Sequence, residues 1–174
     1  KEVYATASGW VREAGSALSG NNNTSADPEL LVAISALSTN IGAADVTDVE
    51  WITTAADKSA GFTLSVRVRY NEAVTVTGNP TLAVTNGNQG SGGGRGPHTL
   101  VYASGTGTNE LVFSLAIAAN NNATNADDVL TIGAQNIAKP GGATIKDATG
   151  TASDSAVAIS GAQGTAAGSI TVVA

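Results

Sequence analysis

Phe62, Leu64, Val66, Val68 and Tyr70 alternate without a break with Thr63, Ser65, Arg67 and Arg69. A period of two places the apolar side chains on one face of an extended chain and the polar ones on the other, so this stretch is a strand with one buried and one wet face. A helix would scatter the same five apolar residues around its circumference. Leu111, Phe113, Leu115 and Ile117 repeat the pattern over 110–118, and shorter alternations lie at 46–53, 81–85, 98–104, 128–132, 156–160 and 169–173. Turn-forming clusters separate them: Thr77-Gly78-Asn79-Pro80, Asn86-Gly87-Asn88, Ser104-Gly105-Thr106-Gly107, Asn120-Asn121-Asn122, Pro140-Gly141-Gly142 and Asp147-Ala148-Thr149-Gly150. Seven or eight short strands at this spacing predict an antiparallel β-sandwich, and the lack of helical periodicity after residue 45 argues against an α/β fold.

Residues 1–45 read differently. Up to Asn21-Asn22-Asn23 the chain is small and polar, with Trp10-Val11-Arg12 as its one apolar anchor, which predicts an extended arm. Asp27-Pro28-Glu29 then offers an N-cap carboxylate, a proline at the first helical position and a second acid favoured by the helix dipole. Leu30, Ile34 and Leu37 or Ile41 share a face at helical spacing, and Gly42 is placed to end the helix, so the pattern predicts a helix over 28–40. The predicted organisation is therefore an arm plus short helix in 1–45, serving as a docking segment, and a β-sandwich in 46–174.

Composition removes whole classes of chemistry. The 174 residues hold no Cys and a single His, which excludes a disulfide framework, a thiol nucleophile and a two-histidine zinc site. His98 follows Gly96-Pro97 and reads as a strand-edge residue rather than a catalytic base, since no nucleophile elbow accompanies it. Eight scattered Lys and Arg against fourteen acids, a pI of about 4.5, leave no basic stripe for nucleic acid. The longest apolar run, Leu30 to Ile34, is far short of the ~20 residues that cross a bilayer, so no membrane partner is expected. Gly90 to Gly96 lacks the lysine and following helix of a phosphate-binding loop and reads as a flexible hairpin tip. The absence of Met, with Lys1 in first place, points to a processed or truncated start.

The remaining candidates are surfaces and acids. Arg67 and Arg69 read as a solvated face of their strand, with pairing to acids on a neighbouring strand as the alternative. Asp45, Asp48, Glu50, Glu72, Asp127, Asp128, Asp147 and Asp154 leave a calcium site at the sandwich ends open, although no Asp-x-Asp-x-Asp-Gly spacing occurs and Asp127-Asp128 and Asp147 to Gly150 read better as turn formers. No other cofactor is expected. Trp51 is assigned to the core and Trp10 to a partner surface, because tryptophan is enriched at binding hot spots. The candidate partner-binding residues are thus Trp10, Val11, Leu30, Ile34 and Leu37. The terminal strand 169–173 is apolar and carries no charge, so it is expected to pair within the chain, with strand addition to a neighbour as the alternative.

Three segments, in this order, also carry a resemblance: Glu72-Ala73-Val74-Thr75-Val76-Thr77-Gly78-Asn79-Pro80-Thr81-Leu82, Leu100-Val101-Tyr102-Ala103-Ser104-Gly105-Thr106-Gly107-Thr108-Asn109-Glu110-Leu111 and Gly141-Gly142-Ala143-Thr144-Ile145-Lys146-Asp147-Ala148-Thr149-Gly150. They resemble the immunoglobulin-like repeats of large bacterial surface proteins, which recur in tandem there and as single copies in virion proteins of tailed bacteriophages, notably marine ones. The long Gly90 to Gly96 loop and the strand 169–173 depart from the repeat. The resemblance implies an Ig-like sandwich. The single copy, with its lead-in Gly9-Trp10-Val11-Arg12-Glu13, implies a non-enzymatic structural protein of a bacteriophage virion that decorates or cements the capsid. Its partner would be the major capsid protein or another virion protein, with self-association and host-surface contact as further roles. The alternative is a cell-surface adhesin repeat, extracellular and calcium-stabilised, that binds glycans or neighbouring cells.

Overall fold

The computed structural model describes residues 3–6, 9–16, 22–33, 43–87, 97–121, 123–148 and 154–174. The chain divides into two compact units, Lys1–Ile41 and Gly42–Ala174. Both are built mainly from β-strands.

The first unit holds an antiparallel sheet of β1 (Val3–Thr6), β2 (Gly9–Arg12) and β3 (Glu29–Ala33), in that order. β3 occupies the start of the helix predicted over 28–40, and that prediction is corrected for 29–33; residues 34–40 lie outside the described set. The physical reason lies in Leu30-Leu31-Val32, a continuous apolar run whose periodicity does not separate helix from strand. Pro28 is as much at home leading into a strand as at a helix start. Without a packed face to reward it, a short helix does not recover its nucleation cost, whereas β3 gains ladder hydrogen bonds from β2 at once. The pairing Trp10↔Val32, Val11↔Leu30 and Arg12↔Glu29 leaves Leu31 as the extra residue of a bulge.

The second unit is organised by β6 (Phe62–Thr77), a strand of 16 residues. β9 (Thr108–Ile117) lies along one edge of it. The other edge is shared, first by β4 (Val46–Trp51) opposite Val66 to Tyr70, then by β12 (Thr144–Asp147) opposite Val74 to Thr77. At the exchange Asn71 and Asp45 bond reciprocally, Asn71 N–H to the Asp45 carbonyl at 3.0 Å and Asp45 N–H to Asn71 Oδ1 at 2.8 Å. Beyond β9 the ladder continues through β8 (His98–Ser104), β7 (Thr81–Gly87), β10 (Val129–Thr131) and β14 (Ser169–Val173) to β5 (Ala56–Asp57), the last pair being parallel. The terminal strand therefore pairs within the chain on both edges. β11 (Gln135–Asn136) and β13 (Ala158–Ile159) form a separate two-stranded ladder.

Eight strands side by side would spread over about 34 Å if flat. Their inward residues instead meet in one cluster: Leu64, Val66, Val68 and Tyr70 of β6, Leu111 and Phe113 of β9, Leu82, Leu100, Leu130 and Val172 among them. The sheet folds over on itself, and the result is a β-sandwich whose core is almost wholly aliphatic. Trp51 packs against this core with its indole Nε1 donating to the Gly168 carbonyl at 3.4 Å.

A short helix, α1 (Gly161–Ala167), lies after residue 45, where no helix was expected. Its seven residues are too few to show a periodic face, but its start is written in Ser160 and Gln163. The Ser160 hydroxyl accepts from Gln163 N–H at 3.2 Å while Gln163 Oε1 accepts from Ser160 N–H at 2.7 Å, a capping box. Gln163 Nε2 then donates to the Val46 carbonyl at 3.0 Å, tying α1 to β4. Gly164 is where α1 meets the chain after β10: a Cβ there would stand 2.1 Å from the Ile132 carbonyl oxygen. Gly164→Ala is therefore expected to destabilise the sandwich by about 1–3 kcal/mol in urea unfolding, the cost of overpacking a backbone contact. Gly161→Ala, whose Cβ would meet only Ala134 Cβ at 3.9 Å, is expected to stay within about 0.5 kcal/mol of the parent.

Candidate functional site

Of the five candidate binding residues, three lie on the sheet of the first unit, though not on one face. Opposed residues in an antiparallel sheet share a face, so Val3, Trp10, Arg12, Glu29 and Val32 lie on one side and Tyr4, Val11 and Leu30 on the other. Trp10 and Val32 are directly opposed, and with Val3 they make an open apolar patch, each 39% to 50% exposed. Beside it the Arg12 guanidinium meets the Glu29 carboxylate at 3.3 Å. Leu30 is exposed on the second face and Leu31 at the bulge. Val11 is corrected as an exposed anchor: it is buried, at 7%. Ile34 and Leu37 lie outside the described residues. Val32 and Val3 escaped the sequence reading because only the strand register sets Val32 opposite Trp10 and Val3 on the same face.

A second grouping lies on the outer face of β4, β6 and β9. Glu50 Oε1 accepts from Arg67 at 2.8 Å and from Arg69 at 3.0 Å, and Glu110 reaches the same two guanidinium groups at 3.5 Å and 3.3 Å. The solvated-face reading of the two arginines thus gives way to its alternative, a four-charge network across three strands. The direct register Glu50↔Arg67 and Arg69↔Glu110 produces it. Its formal charges sum to zero, so it adds no net charge to this face.

The third grouping is internal. His98 opens β8 but is only 7% exposed, which corrects the strand-edge reading. Its Nε2 lies 3.2 Å from Thr124 Oγ1, and Thr124 and Asp128 are fully buried. Burial pushes the imidazole below its ordinary range, and the Asp128 carboxylate opposes that shift only in part. Asp128 Oδ2 caps the turn by accepting from Asn125 N–H at 2.8 Å, and Asp127 holds a left-handed conformation at φ 67°, as expected of turn-forming acids. Hydroxyl, imidazole and carboxylate are thus close together yet closed off from solvent.

Among the described residues no three His, Asp or Glu side chains converge as a metal site needs, and no helix is long and apolar enough to cross a membrane. An open groove of about 470 Å³ runs between 131–134 and α1, lined by Thr131, Ile132, Gly161, Gly164 and Thr165 without any titratable group. The chain matches no family model, curated protein or solved structure in the comparisons made.

The outer-face network carries little stability, because each side chain keeps 31% to 41% of its surface in water. Glu50→Gln is expected to lower the unfolding free energy by less than about 1 kcal/mol at low salt, and by still less at about 0.5 M salt, where the charges are screened. Urea unfolding at the two ionic strengths measures both.

Proposed function

We propose that this is a non-enzymatic structural protein of a bacteriophage virion, a capsid decoration protein that attaches through its N-terminal β-sheet and displays the β-sandwich. The observation that carries the attachment is the uneven placement of exposed apolar side chains. Of the eight large hydrophobics exposed among the described residues, Val3, Trp10, Leu30, Leu31 and Val32 belong to the small first unit. Three of these, Val3, Trp10 and Val32, share one face of the sheet beside the Arg12–Glu29 ion pair, and an apolar patch that includes an aromatic and has a polar rim is how binding surfaces are built. Attachment at a repeated lattice site needs only this burial, multiplied by copy number where the chain self-associates. The virion setting rests on the single Ig-like copy and its lead-in, as the sequence resemblance implies. The outer charges of the sandwich are sparse and mutually neutralised at Glu50, Arg67, Arg69 and Glu110, which suits a displayed module that avoids nonspecific contacts.

The test is location and copy number in the native source particle, by mass spectrometry and electron microscopy, followed by rebinding of the recombinant chain to particles stripped of it. Ordered copies on a capsid lattice are expected, and Trp10→Ala is expected to weaken rebinding by about a hundredfold, the loss of a hot-spot aromatic, with the cooperative unfolding of the sandwich unchanged. Absence from any particle, with recovery inside a longer cell-surface polypeptide, overturns the virion reading. Unchanged rebinding of Trp10→Ala overturns the assignment of the sheet.

A further inference from the structure

The stretch Ala123–Asp128 is held onto the sandwich by contacts that converge from three strands. From β7, Asn86 Nδ2 donates to the Ala123 carbonyl. From β8, His98 Nε2 meets the Thr124 hydroxyl at 3.2 Å. From β14, Val172 bonds twice, its carbonyl accepting from Asp127 N–H at 2.8 Å and its N–H donating to the Asp128 carbonyl at 2.9 Å. The segment is closed on itself by Asn125 N–H to Asp128 Oδ2 and carries the positive φ of Asp127. Its side-chain fastenings are polar groups sealed from water, Asn86, His98, Thr124 and Asp128 all being at most 7% exposed. Polar contacts sealed from water rigidify a loop where they are paired and are costly where a partner is lost.

We propose that Ala123–Asp128 is an acid-operated latch, closed on β7, β8 and β14 while His98 is neutral and released when the imidazole takes up a second proton. In the neutral ring one nitrogen donates and the other accepts; in the imidazolium both donate and the ring carries a charge. The charged groups around it decide whether the closed site tolerates that charge. β7, β10 and β14 carry no titratable side chain, and Glu110 of β9 lies at the far end of the β8–β9 ladder, engaged with Arg67 and Arg69, so the acids near His98 are those of the segment itself, Asp127 and Asp128. Asp128 is the one whose charge acts on the ring, and it favours the imidazolium, but desolvation outweighs it. In the released state the ring returns to the ordinary histidine value of about 6.5. The open form therefore binds more protons than the closed form as pH falls below that value. The closed form is fully favoured above it and loses ground progressively in acid. Release frees the His98 and Asn86 side chains, both buried in the closed form, so a mildly acidic compartment would open this end of the sandwich.

Hydrogen exchange of the full chain at pH 7.5 and pH 5.0, each corrected for intrinsic exchange, tests this. Peptides covering 123–128 are expected to lose at least tenfold protection at the lower pH, while those covering 62–70 and 110–117 keep theirs. His98→Gln, which retains hydrogen-bonding groups and does not titrate, is expected to show the same protection of 123–128 at both pH values. Because this variant changes the packing, the wild-type ring is also followed by its NMR signal through the same titration. It is expected to titrate below the ordinary histidine value and in step with the loss of protection. Equal protection of the wild type at both pH values, an acid opening retained in His98→Gln, or a ring that titrates at or above the ordinary value each overturns the latch.

Discussion

The shared strand β6 is the constraint from which the rest of the sandwich follows. Its first half is gripped by β4 and β9 and its second half by β12, so a single extended segment fixes the positions of three others. Because side chains alternate at a period of two, a slip of one residue against any of these partners would turn Leu64, Val66, Val68 and Tyr70 out to solvent. All four are at most 2% exposed, and burying each aliphatic is worth roughly 1.5–3 kcal/mol. The register is thus held by the core itself. The Glu50, Arg67, Arg69 and Glu110 network on the opposite face is a consequence of that register and adds little to it.

Closure is a separate problem from pairing, and polar contacts help to solve it. Between β10 and β14 the chain runs through short ladders, held by Ile132, Ile137, Ile145 and Ile159 in the core and by hydrogen bonds at its turns. The capping box of α1, the Gln163 bond to Val46 and the approach of Gly164 to Ile132 draw this stretch onto β4 and the end of β10. Around His98 the same task falls to Asn86, Thr124, Asp128 and the backbone of Val172. On the proposed role, the buried polar contacts around His98 answer to pH where an apolar plug would not.

This division also explains what was legible in the sequence. The long strands announce themselves because one face is buried: 62–70, 98–104, 110–118 and 169–173 read correctly from alternation, and Ser104 to Gly107 reads correctly as the turn between β8 and β9. Alternation fails where a strand is too short to show a period, as at Thr144–Asp147, or where the apolar run is continuous, as at Leu30-Leu31-Val32. The missed helix carried a readable signal in Ser160 and Gln163, but no repeating face to prompt the search. His98 and Thr124 are separated by 26 residues and two turns, and nothing local at either position points to the other. The binding patch was half legible: Trp10 stood out by scarcity, while Val3 and Val32 join it only through cross-strand register.

The first unit poses the sharper energetic question. Among its described residues Val11 is the large hydrophobic that is buried, while Val3, Trp10, Leu30, Leu31 and Val32 remain exposed. A three-stranded sheet is near the lower limit of independent stability and reaches it only with a covered apolar face. At roughly 25 cal/mol per Å² of apolar surface removed from water, the patch around Trp10 represents stabilisation the sheet does not realise on its own. On the proposed role, attachment supplies that cover, so folding of the sheet and binding to the lattice draw on the same buried area. Loss of an anchor then weakens the attached sheet itself as well as its contact. The sandwich, whose core is complete within Gly42–Ala174, has no such dependence.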